Sequence, residues 1–137
     1  MERYQVASQK QAVFMNAARS VIPSKGVIRI EILNKAQSSI EVEISGGQGY
    51  IIGRSDNKST YLPDIDLADF QALELGVSRR HAALVHHHQH LHLLDLSSVN
   101  GTFLNGERLA PEAPYPLSHG DKILLGNLTL VISYLDR

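Results

Sequence analysis

The sequence predicts an all-β domain, an antiparallel β-sandwich, with a short helical extension in front of it. After residue 26 the chain consists of short apolar or alternating runs separated by turn residues, and helical periodicity is almost absent. The 137 residues, 43% of them hydrophobic, are enough for one domain with a core. We therefore expect an N-terminal extension over residues 1–25 and a single β domain over residues 26–137.

The spacing of apolar residues in the extension predicts an amphipathic helix that ends before Pro23. Its apolar side chains recur at three- and four-residue steps, although Gln11 interrupts the stripe. These apolar positions are Tyr4, Ala7, Phe14, Ala18 and Val21. Such a segment can pack on the domain, pair with a copy of itself or remain partly disordered. Self-association through it and docking of a partner on it both stay open.

The β domain is predicted to begin with strands over 27–33, 40–44 and 50–52, because the first two alternate and Gly46-Gly47 turns the chain into the third. Further strands are predicted over 81–85, 91–96, 102–104, 122–125 and 128–134. Asn105-Gly106 is a strong two-residue hairpin signal, and Gly126-Asn127 is another turn. Many short strands favour a sandwich whose binding sites are built from loops at one end.

Composition narrows the function classes. The formal net charge is −1, and a general nucleic-acid binder usually carries a strongly basic balance, so we expect no nucleic-acid partner. No run approaches the roughly 18 apolar residues of a membrane helix, and the first residues lack the apolar centre of a signal peptide. The chain has no cysteine, which excludes disulfides and thiolate metal sites. We expect a cytoplasmic protein with no membrane partner.

Three short motifs carry groups suited to a phosphorylated peptide. They are Gly53-Arg54, then Ser78-Arg79-Arg80-His81, then Asn100-Gly101-Thr102. Arg54 can place two hydrogen bonds on one phosphate, and Ser78 offers a hydroxyl donor beside further cations. Asn100 carries both a donor and an acceptor, which is the pair needed to hold a peptide main chain. The motifs therefore predict a split anion-binding site.

The order and spacing of these motifs resemble the forkhead-associated (FHA) domain, over roughly residues 27–135. The resembling segments are IIGR, DIDL, GVSRRHA, LLDLSSVNGTFLNG and LSHGDKILLG. The resemblance implies an eleven-stranded sandwich of the SMAD/FHA-like type that binds phosphothreonine peptides through its loops. It also implies a signalling module downstream of Ser/Thr kinases, with no catalytic residue, no metal and no cofactor.

The resemblance implies a part for each residue. Arg54, Ser78 and Arg79 contact the phosphate, and Asn100 holds the peptide main chain. His81 starts an apolar run, so it is expected to hydrogen-bond across the loop and fix its shape. The other site-shaping residues are Gly53 at a turn, Val99, Gly101 with a positive φ angle, and Thr102 at the start of a strand. Arg80 is expected to point elsewhere.

Val99 departs from the family pattern, because peptide-binding members usually carry threonine or serine before Asn-Gly. Its side chain cannot donate a hydrogen bond. Loss of one donor to a charged group costs roughly 1.5–3 kcal/mol, although a backbone amide or water can compensate. The alternative hypothesis is therefore an FHA-like protein-interaction scaffold that no longer binds phosphate.

The histidine cluster at residues 86–92 raises the question of a metal site. Alternation along a straight strand would place His86, His88, His90 and His92 on one face. A hairpin turn is predicted near residues 87–89, however, and would break that alternation. We therefore expect a polar edge hairpin, whose charge rises below pH about 6.5, rather than a metal site.

An enzyme is not predicted. The segment from Gly76 to Arg80 begins like a nucleophile elbow, but Arg80 occupies the position of the final glycine. A small hydrolase using Ser78 and His81 is the remaining enzymatic alternative. Asp64, Asp66 and Asp69 lack the glycine and terminal glutamate of a calcium loop, so we expect solvated loop carboxylates there.

Overall fold

The computed structural model describes residues 20–34 and 38–135, which form a sandwich of two β-sheets. These residues contain eleven strands and one 3-10 helix, Ala68–Phe70. The strands are β1 (Gly26–Leu33), β2 (Ser38–Ile44), β3 (Tyr50–Gly53), β4 (Ile65–Asp66), β5 (Arg80–His87), β6 (His90–Asp95), β7 (Thr102–Leu104), β8 (Glu107–Arg108), β9 (Tyr115–Pro116), β10 (Asp121–Leu125) and β11 (Leu128–Tyr134). The predicted all-β sandwich of eleven strands is confirmed.

The strands form a six-stranded sheet in the order β2-β1-β11-β10-β7-β8 and a five-stranded sheet in the order β4-β3-β5-β6-β9. Neighbours are antiparallel except β3 and β4, which pair in parallel, so the second sheet is mixed at one edge. On β1 the alternation places Ile28, Ile30 and Ile32 in the core while Arg29 and Glu31 face outward. The core lies between the two sheets.

Every strand predicted from the sequence is present, within a few residues of its predicted bounds. Three strands were missed, β4, β8 and β9, and each has only two residues. Alternation cannot reveal a strand of two residues. β9 even contains Pro116, which an edge strand tolerates because its missing N–H faces no neighbour.

The N-terminal helix prediction falls mostly outside the described residues, and it is wrong for residues 20–22, which are not helical. Val21 bridges to Ser118 and Pro23 to His90. Ile22 donates to the carbonyl of Leu117 at 3.0 Å and accepts from the N–H of Leu91 at 2.8 Å, and its side chain is buried in the core. Ile22 is therefore the buried residue and Val21 is 45% exposed, whereas the predicted helix placed Val21 on its apolar face.

The hairpin turn predicted among the histidines is confirmed. His87 of β5 pairs with His90 of β6, and the two residues between them, His88 and Gln89, have φ angles of 52° and 66°. Two successive positive φ angles match the right-handed twist of antiparallel strands. The hairpin therefore places the histidines at one end of β5, with Arg80 at the other.

Within residues 20–34 and 38–135, no helix has the length and apolar character required to cross a membrane.

Candidate functional site

The first two sequence motifs and Val99 converge on one open groove of about 520 Å³ at an end of the five-stranded sheet. The sheet order explains the convergence, because the groove is built from the loops that follow β3, precede β5 and follow β6, and these strands are neighbours. The lining residues are Arg54, Tyr61, Ser78, Arg79, Arg80, Ser97 and Val99.

Arg54 is held firmly at the groove. Its Nε donates to the carbonyl of Val77 at 2.7 Å, its backbone N–H donates to the carbonyl of Arg79 at 3.2 Å, and its side chain is only 17% exposed. With Nε engaged, the remaining guanidinium donors are those of the two Nη groups. A fixed and partly dehydrated guanidinium interacts with an anion more strongly than a mobile one in water.

The backbone after Arg54 is fixed by Asp66. One oxygen of its carboxylate accepts from the N–H groups of Ser55 at 2.9 Å and Ala68 at 3.0 Å. Burial alone would raise the pKa of Asp66, but the hydrogen bonds from Ser55 and Ala68 outweigh it and hold the pKa below its ordinary value. Asp66, expected as a solvated carboxylate, therefore organises the loop beside the groove.

Gly53 is required for a close approach of two backbones rather than for the turn we expected. A Cβ at this position would collide with the carbonyl of Arg79 and would lie 3.0 Å from the carbonyl oxygen of Ser78. The register between β3 and β5 shifts between Ile52 and Gly53, at the point where the chains approach. Glycine therefore brings Arg54 against the loop that carries Ser78 and Arg79.

Asp56 lies between the two phosphate-candidate arginines. Its Oδ2 is 3.7 Å from Nη1 of Arg54 and 4.0 Å from Nη1 of Arg79, whose side chain is 53% exposed. A shared carboxylate offsets part of the repulsion between the two cations. Arg80 was expected to point elsewhere, but it lines the same groove and has no ion pair among the residues that the structure describes. Neither the bridging position of Asp56 nor the placement of Arg80 in the groove was predicted from the sequence.

His81 ties two of the loops together from a fully buried position. Its Nδ1 accepts from the backbone N–H of Ser78 at 3.0 Å, which leaves Nε2 as the protonated nitrogen that donates to the carbonyl of Gly101 at 2.9 Å. Burial lowers the pKa of His81, and this outweighs the opposing effects of the Gly101 carbonyl and of Asp95. The neutral imidazole therefore acts as a crosslink.

Asp95 organises the loop between β6 and β7. Its Oδ1 accepts from the hydroxyls of Ser98 and Thr102, both at 2.6 Å, and its Oδ2 accepts from the N–H of Ser98 at 3.3 Å. Burial would raise the pKa of Asp95, but the hydrogen bonds from Ser98 and Thr102 hold it below its ordinary value. Gly101, with a φ of 90°, donates its N–H to the Ser98 hydroxyl at 3.0 Å.

Asp95 is a site-shaping residue that the sequence analysis did not identify, although the polar run that follows the apolar β6 contained a usable signal. An aspartate followed by serine and threonine, together with a glycine, is typical of loops in which side chains replace backbone partners. The network explains why Thr102 is buried at the start of β7.

Ser78 and Val99 meet through the backbone of Val99. The N–H of Val99 donates to Oγ of Ser78 at 3.2 Å, so the Ser78 hydroxyl keeps its own hydrogen for another acceptor. Val99 belongs to the lining of the groove and is 83% exposed. The backbone amide of residue 99 thus positions Ser78 whatever side chain residue 99 carries.

Asn100 lies next to the groove but outside its lining. Its Nδ2 donates to the carbonyl of Gly76 at 2.9 Å, which fixes the side chain between two loops. Gly76 has a φ of 83°, and a Cβ there would lie 2.7 Å from the same Nδ2. In the described part of the chain Oδ1 has no hydrogen-bond partner, so Asn100 retains an acceptor and a second amide hydrogen for a peptide.

The arrangement suits anion binding and offers no activated nucleophile. The nitrogen of His81 that faces Ser78 accepts from the serine's backbone N–H rather than from its hydroxyl, so it does not activate Oγ as a base would. No three His, Cys, Asp or Glu side chains in residues 20–34 and 38–135 are placed to hold a metal ion. The groove is lined by three arginines and by three hydroxyl-bearing residues, Tyr61, Ser78 and Ser97.

Comparison with known proteins finds a family model, the FHA domain, that matches residues 50–126. The human nuclear inhibitor of protein phosphatase 1 is 40% identical over 79 residues, which is 54% of this chain and 22% of that protein. The FHA domain-containing protein FhaA of Mycobacterium tuberculosis is 32% identical over 106 residues, 71% of this chain and 18% of that protein. The chain thus spans about a fifth of these relatives.

Solved structures share the sandwich. The FhaA FHA domain, complexed with the intracellular domain of Rv3910, is 26% identical with a TM-score of 0.56, over 77% of this chain and 98% of that one. The N-terminal FHA domain from S. cerevisiae Rad53p, in complex with a phosphothreonine peptide, is 23% identical with a TM-score of 0.59. The match covers 79% of this chain and 93% of that one. At 23% identity the second likeness shows the fold alone.

Proposed function

The chain belongs to the FHA domain family, and from this premise we propose that it recognises phosphothreonine in partner proteins. FHA domains are interaction modules, and solved FHA structures bind phosphothreonine peptides. The observation that carries the proposal is the groove in which a fixed Arg54 lies with Ser78 and Arg79. These are the residues that the motifs selected for phosphate.

The proposed chemistry is electrostatic and directional. A phosphothreonine carries a charge of about −1.5 to −2 at pH 7 and offers oxygen acceptors to the donors of Arg54, Arg79 and Ser78. The guanidinium groups supply charge-assisted hydrogen bonds, and the serine hydroxyl supplies a neutral one. Asn100, whose Oδ1 has no hydrogen-bond partner among the described residues, holds the peptide main chain beside the phosphate. Because the loops are already crosslinked by His81 and Asp95, little conformational entropy is lost on binding.

We extend the proposal to the setting of the protein. The module reads the product of a Ser/Thr kinase in a signalling pathway, acts in the cytoplasm and catalyses no reaction of its own. Its partner is a protein rather than a nucleic acid or a membrane. These statements rest on the proposed specificity and on the balanced charge of the chain.

A second function is favoured by Val99 alone. With valine where peptide-binding members usually carry a hydroxyl, the domain can serve as an interaction scaffold that no longer binds phosphate. The structure weakens this alternative, because the backbone amide of Val99 still contacts Ser78 and the arginines remain in the groove.

The deciding experiment is a fluorescence-anisotropy titration with three labelled peptide libraries that differ only at a central residue. That residue is phosphothreonine, phosphoserine or unmodified threonine. We expect the phosphothreonine library to bind at least about tenfold more tightly than the unmodified one, with affinity that falls as salt increases. Equal affinity for the phosphorylated and unmodified libraries would establish the scaffold instead.

A further inference from the structure

The most exposed large hydrophobic side chain among the described residues lies in the candidate phosphate groove. Val99 is 83% exposed, whereas the next in order, Leu62, is 73% exposed and is not part of the groove lining. A single exposed valine on a protein surface needs no explanation. A valine in the wall of a groove lined by arginines is different, because it cannot help to bind the anion.

Val99 is held rigidly although its side chain is free. Its N–H donates to Ser78, and the hydrogen bonds from Ser98 and Thr102 to Asp95 crosslink the loop on both sides of Val99. The apolar surface is therefore in place before a ligand arrives. A preformed apolar surface loses little entropy when a ligand covers it.

The hydrogen bond between Val99 and Ser78 indicates which part of a bound peptide would contact the Val99 surface. Oγ of Ser78 is 3.2 Å from the nitrogen of Val99, so the valine adjoins the proposed phosphate contact. Consecutive Cα atoms of a peptide are about 3.8 Å apart, so the residues directly before and after the phosphothreonine are the peptide residues expected nearest to this surface. A polar neighbour would lose water there without gaining a partner, whereas an apolar neighbour gains by burial.

We propose that Val99 is a specificity-determining residue that selects phosphopeptides with an apolar residue directly next to the phosphothreonine. The inference rests on the proposed phosphothreonine binding. It gives the departure from the family pattern a function of its own, since the hydroxyl lost at position 99 is replaced by a contact that reads sequence.

The test uses the whole chain and matched phosphothreonine peptides with leucine or asparagine at the position immediately before or immediately after the phosphothreonine. We expect the wild-type protein to bind one leucine peptide about five- to tenfold more tightly than its asparagine counterpart, as the burial of a valine-sized surface implies. Val99→Ser abolishes this preference, and Val99→Ile retains it. Val21→Ser, a change of another exposed valine outside the groove lining, leaves the preference unchanged.

The outcomes separate the inference from the proposed function. If no peptide binds in a phosphate-dependent manner, both are overturned. If binding depends on phosphate but leucine and asparagine peptides bind equally, only the inference is overturned. The same holds if Val99→Ser alters the ratio of phosphothreonine to phosphoserine affinity while the neighbour preference persists, because Val99 would then contact only the threonine methyl. Circular dichroism of each variant confirms that it is folded.

Discussion

The two ends of β5 carry the two most conspicuous polar clusters of the chain, and they are built in different ways. At the Arg80 end, long loops are crosslinked by His81 and Asp95, and they hold arginines around a groove. At the His87 end, β6 follows after a turn of two residues, and the histidine rings contact one another. The ring centroids of His87 and His88 are 4.0 Å apart, and those of His87 and His92 are 5.0 Å apart.

Binding geometry in this fold comes from loops that buried side chains hold in place, and a short turn lacks such side chains. A two-residue turn needs only two positive φ angles and leaves its side chains without assigned partners. Next to this turn, at the end of β5, both ring nitrogens of His86 are buried without a hydrogen-bond partner among the described residues. Loops that hold a site need buried side chains to replace the missing strand partners. A cluster of polar residues in the sequence therefore indicates a site only when other residues are committed to holding it.

The largest expected effect is at the arginine end. Arg54→Ala removes the proposed charge-assisted hydrogen bonds to the phosphate and should lower phosphopeptide affinity roughly 100-fold, or about 2–3 kcal/mol. Anisotropy titration measures the change. Arg29→Ala is the matched control, because Arg29 is ion-paired with Glu41 on the outer face of β1 and should leave affinity unaltered. A similar loss in both variants would show that net charge, rather than the groove, controls binding.

The next effect is on stability and tests whether the loops are held by buried side chains. Asp95→Ala leaves the hydroxyls of Ser98 and Thr102 without their acceptor and should lower the free energy of unfolding by about 2–4 kcal/mol. Urea denaturation provides the measurement. Asp69→Ala, at an exposed position, should change it by less than about 0.5 kcal/mol. Equal changes in the free energy of unfolding for the two variants would contradict the conclusion that Asp95 stabilises its loop while Asp69 is an ordinary surface residue.

The smallest effect concerns pH and the histidine end. Burial lowers the pKa of His92 below 6.5, and the neighbouring histidines His87, His90 and His88 lower it further, against the His90 carbonyl, which raises it. His81 is shifted in the same direction. The folded state thus binds fewer protons than the unfolded chain. The stability that these groups contribute is complete above pH 6.5 and is lost as pH falls through their folded pKa values, by at most about 1.4 kcal/mol per pH unit for each histidine.

Urea denaturation of the wild type between pH 7.5 and pH 5 should show this loss, and His92→Gln should reduce it without changing phosphopeptide affinity at pH 7.5. A wild-type profile that is flat over this range would contradict the pKa shifts. A change in affinity in His92→Gln would show that the two ends of β5 are coupled rather than independent.

The sequence predicted the longer elements well, because alternation and turn residues are local signals. The hairpin between β5 and β6 followed from its position between two apolar runs. The predicted helix was wrong at its C-terminal end, near Val21. Periodicity cannot reveal that the backbone of Ile22 is hydrogen-bonded to Leu91 and Leu117. The two-residue strands were missed for a similar reason. They are defined by hydrogen bonds to neighbouring strands, which a local sequence pattern cannot show.

The fold class and the candidate phosphate-binding residues Arg54, Ser78 and Arg79 could be predicted from the sequence, because residue chemistry and motif spacing can be read directly from the chain. The three-dimensional arrangement of the strands places Arg80 in the same groove, lets Asp95 and His81 crosslink its loops, and brings Val99 into its lining. These facts depend on which strand ends are neighbours. Strand order is set by packing between residues far apart in sequence, so no local pattern can express it.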